Sequence, residues 1–137
     1  IQDEDLDSTY TQRHYTMVER KYYETVVEGM RKSVLGGTCR AANNPWYEVC
    51  GKTGTAQNPH GQDHSVFMGF APRENPQFAI CVYVENGGWG ATYGVPIGAL
   101  MMEQYINGHL SPESEQKAVS YENKHLFNLA DYVNTNN

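Results

Sequence analysis

The chain has 137 residues, of which 39% are hydrophobic and 19% charged, and its formal net charge is −6. This composition predicts a globular domain and excludes a chain that stays disordered for lack of apolar residues. The acidic balance and the scattered basic residues argue against nucleic-acid binding, because no basic patch is available to neutralise phosphates. No apolar stretch approaches the length that a membrane span needs.

The first predicted element is an amphipathic helix over residues 20–35. Thr16 and Glu19, just before it, have the spacing of a capping box. Gly36 and Gly37 follow it and are typical of a helix end. Apolar residues recur at intervals of three and four, and we interpret this stripe as core packing. The stripe consists of Tyr22, Tyr23, Val26, Val27, Met30 and Val34.

Three strands are predicted next, over residues 46–57, 66–71 and 78–84. The connections between them are short, which favours antiparallel neighbours because a parallel crossover needs a dozen or more residues. The second and third strands have apolar residues at both sets of alternate positions, as in strands that are covered on both faces. The predicted helices are too few for that cover, so other helices outside this chain or a partner must supply it.

A second helix follows Ala91 and ends at Asn107–Gly108, with Pro96 suited to its first turn. Its apolar face consists of Val95, Ala99, Met102 and Ile106. Residues 109–137 are polar and weakly periodic and are predicted to be a surface tail. Four apolar residues of the tail are predicted to dock it locally, namely Leu126, Phe127, Leu129 and Tyr132. The predicted class is α/β of the α+β type, a mainly antiparallel sheet with flanking helices.

Two short motifs resemble known ligand sites but lack the context that those sites require. Gly51-Lys52-Thr53 matches the end of a phosphate loop, yet Trp46 stands where the first glycine belongs and a strand follows instead of a helix. His60 and His64 have a zinc-enzyme spacing that works only on a helix, and Pro59 opposes one. We interpret that segment as a hairpin loop, with metal binding as a minor option.

The three cysteines, Cys39, Cys50 and Cys81, show no metal-type spacing. We interpret all three as small buried residues, the usual role of a free cysteine. A bridge between Cys39 and Cys50 stays open for an oxidising compartment.

The stretch "KTGT" at residues 52–55 has the chemistry of an anion-binding strand. Alternation places Lys52 and Gly54 on one side, and Thr53 and Thr55 on the other. A positive charge and two hydroxyls suit a carboxylate at the end of an extended peptide, and Gly54 lets another backbone approach closely. A backbone N–H here could also face a developing oxyanion. A solvated edge strand is the alternative interpretation.

A wider set of blocks strengthens the first interpretation. The blocks are "VVEGM" at 26–30, "GGT" at 36–38, "GKTGTAQ" at 51–57, "DHSVFMGFAP" at 63–72 and "VENGG" at 84–88. Together they resemble the C-terminal part of the transpeptidase domain of class B penicillin-binding proteins, especially the penicillin-binding protein 2 type. The resemblance covers residues 20–108. It implies a β-lactamase/transpeptidase-like fold, with residues 1–19 as a lead-in segment and 109–137 as a polar tail outside it.

The family combines three motifs, S-x-x-K, S-x-N and K-[ST]-G, and here only the third is credible. Ser114 and Lys117 match the first motif, but they follow the strand instead of preceding it, and they lie in a polar tail. Tyr105–Asn107 and Tyr121–Asn123 match a looser second motif and fail on the same order. The chain is therefore expected to lack the nucleophile and to be inactive alone.

The resemblance also implies roles for the residues of the strand. Lys52 supports the electrostatics of the site, and the Thr53 and Thr55 hydroxyls bind a substrate or β-lactam carboxylate beside Gly54. The Thr55 N–H forms half of an oxyanion hole. Lys52 and Thr55 are thus the predicted catalytic residues, and Thr53, Gly54 and Thr55 the predicted substrate-binding residues.

For the parent protein the resemblance implies a serine D,D-transpeptidase that cross-links peptidoglycan stem peptides and is a β-lactam target. It would need no metal or organic cofactor, work with the cell-wall elongation machinery, and lie at the periplasmic face of the bacterial inner membrane. Because the chain opens on Ile1, we expect it to be a piece whose membrane anchor lies elsewhere. A serine β-lactamase or carboxypeptidase, and a β-lactam-sensing receptor that does not turn over, are the alternatives.

Overall fold

A computed structural model describes residue 12 and residues 14–126 of the chain. The elements, in order, are helix α1 (Arg20–Gly36), a 3₁₀ turn (Arg40–Ala42), strands β1 (Cys50–Ala56), β2 (His64–Ala71) and β3 (Phe78–Val84), and helices α2 (Gly94–Asn107) and α3 (Pro112–Glu122). None of the helices in this range is long and apolar enough to cross a membrane. The predicted class, an antiparallel sheet with flanking helices, is confirmed.

The sheet has the order β1-β2-β3 with both neighbouring pairs antiparallel, as the short connections predict. Thr53 pairs with Phe67, and Phe67 pairs with Val82. The prediction that β1 begins at residue 46 is wrong, because its ladder starts at Cys50 opposite Phe70. Strand β2, the partner of β1, ends at Ala71, one residue after Phe70. The next residue is Pro72, which has no N–H to donate to a further ladder bond.

One face of the sheet carries the core. Alternate residues of β2 on this face are fully or almost fully buried, including Ser65 and Phe67. Helix α2 packs here, and a Cβ on Gly98 would lie 2.5 Å from the Phe67 ring, so this close approach requires glycine. The buried apolar cluster consists of Val34, Cys39, Ala42, Val49, Phe67, Ala71, Val82, Val95 and Met102. Burial of a side chain the size of Phe67 stabilises the fold by roughly 1.5–3 kcal/mol.

The opposite face of the sheet, here called the open face, is covered by α1 only over the start of β1 in the described part of the chain. Met68 is 52% exposed and Tyr83 is 53% exposed. The predicted core role of the α1 stripe is wrong for most of its members, since Val26 is 60% exposed and, of the residues of α1, only Arg31 and Val34 are buried. The predicted shortage of cover for one face is therefore confirmed for residues 14–126.

Helix α1 is tied to the start of β1 by polar contacts. The Arg31 guanidinium donates to the Val49 carbonyl at 3.0 Å and pairs with Glu48 at 3.1 Å. The predicted capping box before this helix is wrong, because Glu19 occupies the N-cap position and makes no side-chain capping bond. Thr16 lies outside the helix and shares a hydrogen bond with the Tyr23 hydroxyl.

The C-terminal segment contains helix α3, where the sequence predicts only a surface tail. Ser111 caps it by accepting a hydrogen bond from the Ser114 N–H at 3.3 Å, and Pro112 occupies the first turn. Glu113 and Glu115 place negative charge near the positive end of the helix dipole. The predicted docking residues beyond Leu126 lie outside the described residues.

The three cysteines are all free. Cys39 and Cys50 are fully buried, as predicted, and the bridge between them is not formed. The prediction for Cys81 is wrong, because this residue is exposed on β3. Its side of the strand belongs to the open face of the sheet, where the register sets Cys81 opposite Met68.

Candidate functional site

The predicted site residues lie together on β1, which is an edge strand among residues 14–126. One side of β1 pairs with β2, and its other side is free to accept an extended chain. Lys52 and Thr55 are exposed, whereas Thr53 and Gly54 are half-buried. The strand therefore presents the KTGT stretch at an accessible edge.

The register confirms the predicted alternation of these residues. Thr53 and Thr55 lie opposite Phe67 and Ser65, on the face that α2 covers. Lys52 lies opposite Met68, on the open face. The ammonium group and the two hydroxyls therefore flank the free edge from its two sides.

Two hydrogen bonds hold the polar groups of the strand. Lys52 Nζ donates to the Thr53 carbonyl at 2.8 Å. The Thr53 hydroxyl shares a hydrogen bond of 2.8 Å with the Thr38 hydroxyl, which comes from the loop after α1. The block "GGT" at 36–38 thus contacts the KTGT strand directly, a link that sequence reasoning did not find.

Lys52 also lines an open groove of about 910 Å³ between α1 and the open face of the sheet. The groove is mostly apolar, and its walls include Val26, Met30, Thr38 and Met68. Lys52 is exposed at this groove, so an anion can reach its ammonium group from solvent.

The loop of residues 85–93, here called the β3–α2 loop, packs against the strand from the covered face. A Cβ on Gly90 would lie 2.6 Å from the Gly54 carbonyl oxygen and 3.1 Å from the Thr53 Cβ, and closer still to the Val66 carbonyl oxygen. Only glycine fits this approach. Gly90 is therefore a site-forming residue that the sequence marks only as part of a glycine-rich run.

Ser65 fixes the far end of this loop to the sheet. Its hydroxyl donates to the Trp89 carbonyl at 2.9 Å and accepts from the Gly94 N–H at 3.0 Å. Ser65 is fully buried; its bond with the Gly94 N–H is buried as well, whereas its bond with the Trp89 carbonyl is only partly buried. The Trp89 side chain, by contrast, is 76% exposed beside the strand that carries Thr55.

The start of the loop is held by the hairpin between β1 and β2. The Asn58 amide donates to Asn86 Oδ1 at 3.0 Å, and the Asn58 N–H donates to Asp63 Oδ1 at 3.1 Å. Asn86 has a φ of 55°, in the left-handed region that asparagine tolerates better than most residues. These contacts make the hairpin and the β3–α2 loop one polar unit.

The zinc spacing of His60 and His64 has another explanation. His64 is the first residue of β2, and its Nδ1 accepts the Asn86 N–H at 3.1 Å. His60 is exposed in the hairpin loop, so no helix brings the two rings onto one face. Across the described residues, no group of three or more His, Cys, Asp or Glu side chains could hold a metal ion.

The S-x-x-K match at Ser114 lies away from the strand. Ser114 is buried at the start of α3, where the sequence predicts only a polar surface tail. Its hydroxyl donates to Glu103 Oε2 at 2.6 Å, and Lys117 pairs with Glu113 at 2.7 Å instead of with Ser114. Ser114 lines a cavity of about 430 Å³ beside α2, separate from the Lys52 groove.

Glu103 carries a buried charge at the cavity that Ser114 lines. Burial by itself raises the pKa of Glu103, but hydrogen bonds from Ser114 and Ser111 and the nearby Lys117 charge outweigh burial and hold the pKa below its ordinary value. Burial, with the Glu103 charge as a smaller cause, raises the pKa of Tyr47 to about 12. The Glu103 carboxylate is therefore stabilised as a partner of α3.

Comparison with known proteins adds an independent line of evidence. The family described as "Penicillin binding protein transpeptidase domain" matches residues 2–103. The peptidoglycan D,D-transpeptidase MrdA of Haemophilus influenzae is 29% identical over 130 residues, which cover 82% of this chain and 20% of the relative. The chain thus spans about a fifth of the length of this relative.

Solved structures agree with the family match. Pseudomonas aeruginosa PBP2, in complex with WCK 5153, superposes with a TM-score of 0.60 at 36% identity, over 72% of this chain and 23% of that one. PBP2 of Helicobacter pylori, in complex with MreC, gives 0.57 at 25% identity, over 70% and 19%. The predicted β-lactamase/transpeptidase-like fold is confirmed by these neighbours. The chain belongs to the penicillin-binding protein transpeptidase domain family and is of the penicillin-binding protein 2 type.

Proposed function

We propose that the protein to which this chain belongs is a serine D,D-transpeptidase that cross-links peptidoglycan stem peptides and is acylated by β-lactams. The observation that carries the proposal is the free edge of β1, which presents Lys52, Thr53, Gly54 and Thr55 together. Membership of the transpeptidase domain family supports this assignment. No metal or organic cofactor enters the proposed reaction.

The strand is suited to bind the donor stem peptide in extended form. A peptide that adds to the free edge gains main-chain hydrogen bonds, and its terminal carboxylate meets the Thr53 and Thr55 hydroxyls. Lys52 supplies the positive charge for this carboxylate and for the polar groups around the nucleophile. Gly54 leaves room for the approaching backbone.

Thr55 is proposed to contribute its N–H to the oxyanion hole. The Thr53 carbonyl accepts a bond from Lys52 Nζ and is therefore reachable from the free edge. Residues two apart in a strand direct their backbone groups to the same side, so the Thr55 N–H also faces that edge. A donor held there before reaction can stabilise the charge that develops on the attacked carbonyl oxygen.

We propose that the nucleophilic serine lies outside this chain, so that the chain alone is inactive. In the reaction the serine hydroxyl attacks the carbonyl of the penultimate D-alanine, and the terminal D-alanine leaves with the proton. An acceptor amine then attacks the ester, forms the new peptide bond and releases the serine. Ser114 is a poor candidate because it lines a cavity beside α2 that is separate from the groove beside Lys52.

The setting of the full protein is part of the same proposal. We place it at the periplasmic face of the inner membrane, held by an anchor outside the chain and assembled with the cell-wall elongation machinery. The complex of the H. pylori relative with MreC supports such a partner. The division into a lead-in (1–19), a transpeptidase part (20–108) and a C-terminal segment (109–137) stays a prediction.

The test uses the full-length protein and a fluorescent penicillin. We expect one covalent label per molecule, and peptide mapping should place it on a serine outside residues 1–137. A label on Ser114 would overturn the proposed location of the nucleophile. With a stem-peptide donor and an amine acceptor, cross-linked product should exceed hydrolysed product. Hydrolysis of the stem peptide without cross-linking would identify a carboxypeptidase, and continuous release of hydrolysed penicillin would identify a β-lactamase. Stable labelling by penicillin, with neither cross-linked nor hydrolysed stem-peptide product, would identify a receptor.

A further inference from the structure

Helix α3 lies beyond the residues that the family model matches, yet it contacts the loop that supports the KTGT strand. The family match ends at residue 103, and α3 spans Pro112–Glu122. Its last turn and the residues after it reach residues 92 and 93 at the end of the β3–α2 loop.

Three contacts join the end of α3 to this loop. The Tyr121 hydroxyl donates to the Thr92 carbonyl at 3.3 Å. The rings of Tyr93 and Tyr121 meet edge to face, with centroids 5.9 Å apart at 74°. Lys124 Nζ lies 5.2 Å from the Tyr93 ring centroid and 5.0 Å from that of Tyr121, so the cation bridges both rings.

The start of α3 is anchored separately to α2. Both oxygens of the buried Glu103 carboxylate are used: one accepts the Ser111 N–H at 2.8 Å and the other accepts the Ser114 hydroxyl at 2.6 Å. A charged acceptor at a helix N-terminus is a strong partner, because it satisfies free N–H groups and complements the helix dipole. The helix is therefore held at both ends, by α2 and by the loop.

From these contacts we propose that α3 is a positioning element for the acyl-transfer site, acting through the β3–α2 loop. Tyr121 and Lys124 hold Thr92 and Tyr93, and this end of the loop continues from Gly90, which lies against Gly54 and Thr53. Displacement of the loop changes the support of the strand whose Thr55 N–H faces the oxyanion. The inference rests on the proposed transpeptidase function and extends it to a segment outside the family match.

The experiment measures acylation of the full-length protein by a fluorescent penicillin, separated into the binding constant K and the acylation rate constant k2. We expect Tyr121→Ala and Lys124→Ala each to lower k2 roughly three- to tenfold, the size of effect that loss of an aromatic or cation–π contact produces. K should change less, because the carboxylate-binding hydroxyls remain. Lys124→Arg keeps the cation over the rings and should retain the original k2.

Tyr105→Ala is the matched control. Tyr105 is an exposed tyrosine whose ring is tilted against that of Phe78, with centroids 4.6 Å apart. The register sets Phe78 opposite Ala71, away from the pairs that include Thr53 and Thr55. Tyr105→Ala should leave k2 unchanged. An unchanged k2 in both Tyr121→Ala and Lys124→Ala, or an equal fall in Tyr105→Ala, would overturn the inference while the labelling of the unmodified protein upholds the proposed function. If the Tyr121→Ala variant does not fold, the k2 of the Lys124→Ala variant decides alone, because Lys124 is exposed.

A second readout separates the two proposals. Hydrogen exchange of the peptide that covers residues 85–93 should accelerate in Tyr121→Ala and not in Tyr105→Ala. If the unmodified full-length protein takes no label, the proposed function fails, and exchange alone then decides whether α3 positions the loop. Unchanged exchange in Tyr121→Ala would overturn that positioning.

Discussion

Replacement of Ser65 by alanine tests how firmly the β3–α2 loop is held against the sheet. The serine is fully buried, and its hydroxyl joins two backbone groups, the Trp89 carbonyl and the Gly94 N–H. Ser65→Ala keeps the size of the side chain within one atom but removes both bonds. The change therefore isolates the hydrogen bonds from the packing of the strand.

The two backbone groups differ in what they lose. Gly94 is buried, so its N–H is left without a partner, at a cost of about 1–3 kcal/mol. Trp89 is 76% exposed, and water can replace the hydroxyl at its carbonyl at little cost. We therefore expect the free energy that keeps the loop closed to fall by about 2 kcal/mol, mainly through Gly94.

Hydrogen exchange in the full-length protein measures this directly. A loss of about 2 kcal/mol should accelerate exchange of the amides in residues 85–95 roughly thirtyfold, because local opening becomes that much more frequent. Ser120→Ala is the control, since it removes an exposed serine hydroxyl that bonds only to the Lys117 carbonyl. An acceleration below about threefold, or one equal to that of the control, would refute the assigned role of Ser65.

Three further changes test other parts of the site. Lys52→Ala should strongly slow acylation by penicillin and leave the thermal midpoint within about 2 °C, since an exposed side chain is removed; unchanged acylation would contradict the role of Lys52. Gly90→Ala should cost about 1–3 kcal/mol of stability in denaturant unfolding, because its Cβ would collide with the Gly54 and Val66 carbonyls. Gly29→Ala, where nothing lies within 4 Å, is the matched control and should not destabilise. The folded-state pKa of Glu103 is lowered, so its contribution is present above the unfolded pKa and is lost as pH falls through the folded pKa. Glu103→Gln should therefore flatten the acid limb of a thermal-stability profile, and an unaltered limb would show that Glu103 does not contribute to it.

Elements with a clear apolar pattern could be predicted from the sequence, and helix α3, which lacks one, could not. The bounds of β3 agree with the prediction because a continuous apolar run marks them, and the end of α2 agrees because Gly108 follows it. Helix α3 was missed because its apolar pattern is weak. Its signals are the cap Ser111, the proline after it and two early glutamates, which act on the helix terminus and not on a buried face.

The contiguous part of the candidate site was predictable, and its long-range part was not. Residues 52–55 are neighbours in the chain, so one strand prediction places all four correctly on the two sides of an edge. The contacts of Thr53 with Thr38, and of Gly54 with Gly90, join segments 15 and more residues apart. No local pattern contains that information, because it depends on how α1 and the β3–α2 loop return to the strand.

The exposure of α1 shows a second limit of prediction from sequence, and this one bears on the proposed reaction. Periodicity shows that a helix has an apolar face, but it does not show what covers that face. Val26 and Met30 of α1 line the groove beside Lys52, on the same side as the exposed Met68. An apolar surface around a lysine is costly to leave in water and is suited to contact with other protein. The proposal that the nucleophile lies outside this chain needs a surface of this kind next to the KTGT strand. The exposed apolar face of α1, which made the core prediction wrong, therefore supports the proposal that the nucleophile lies outside this chain.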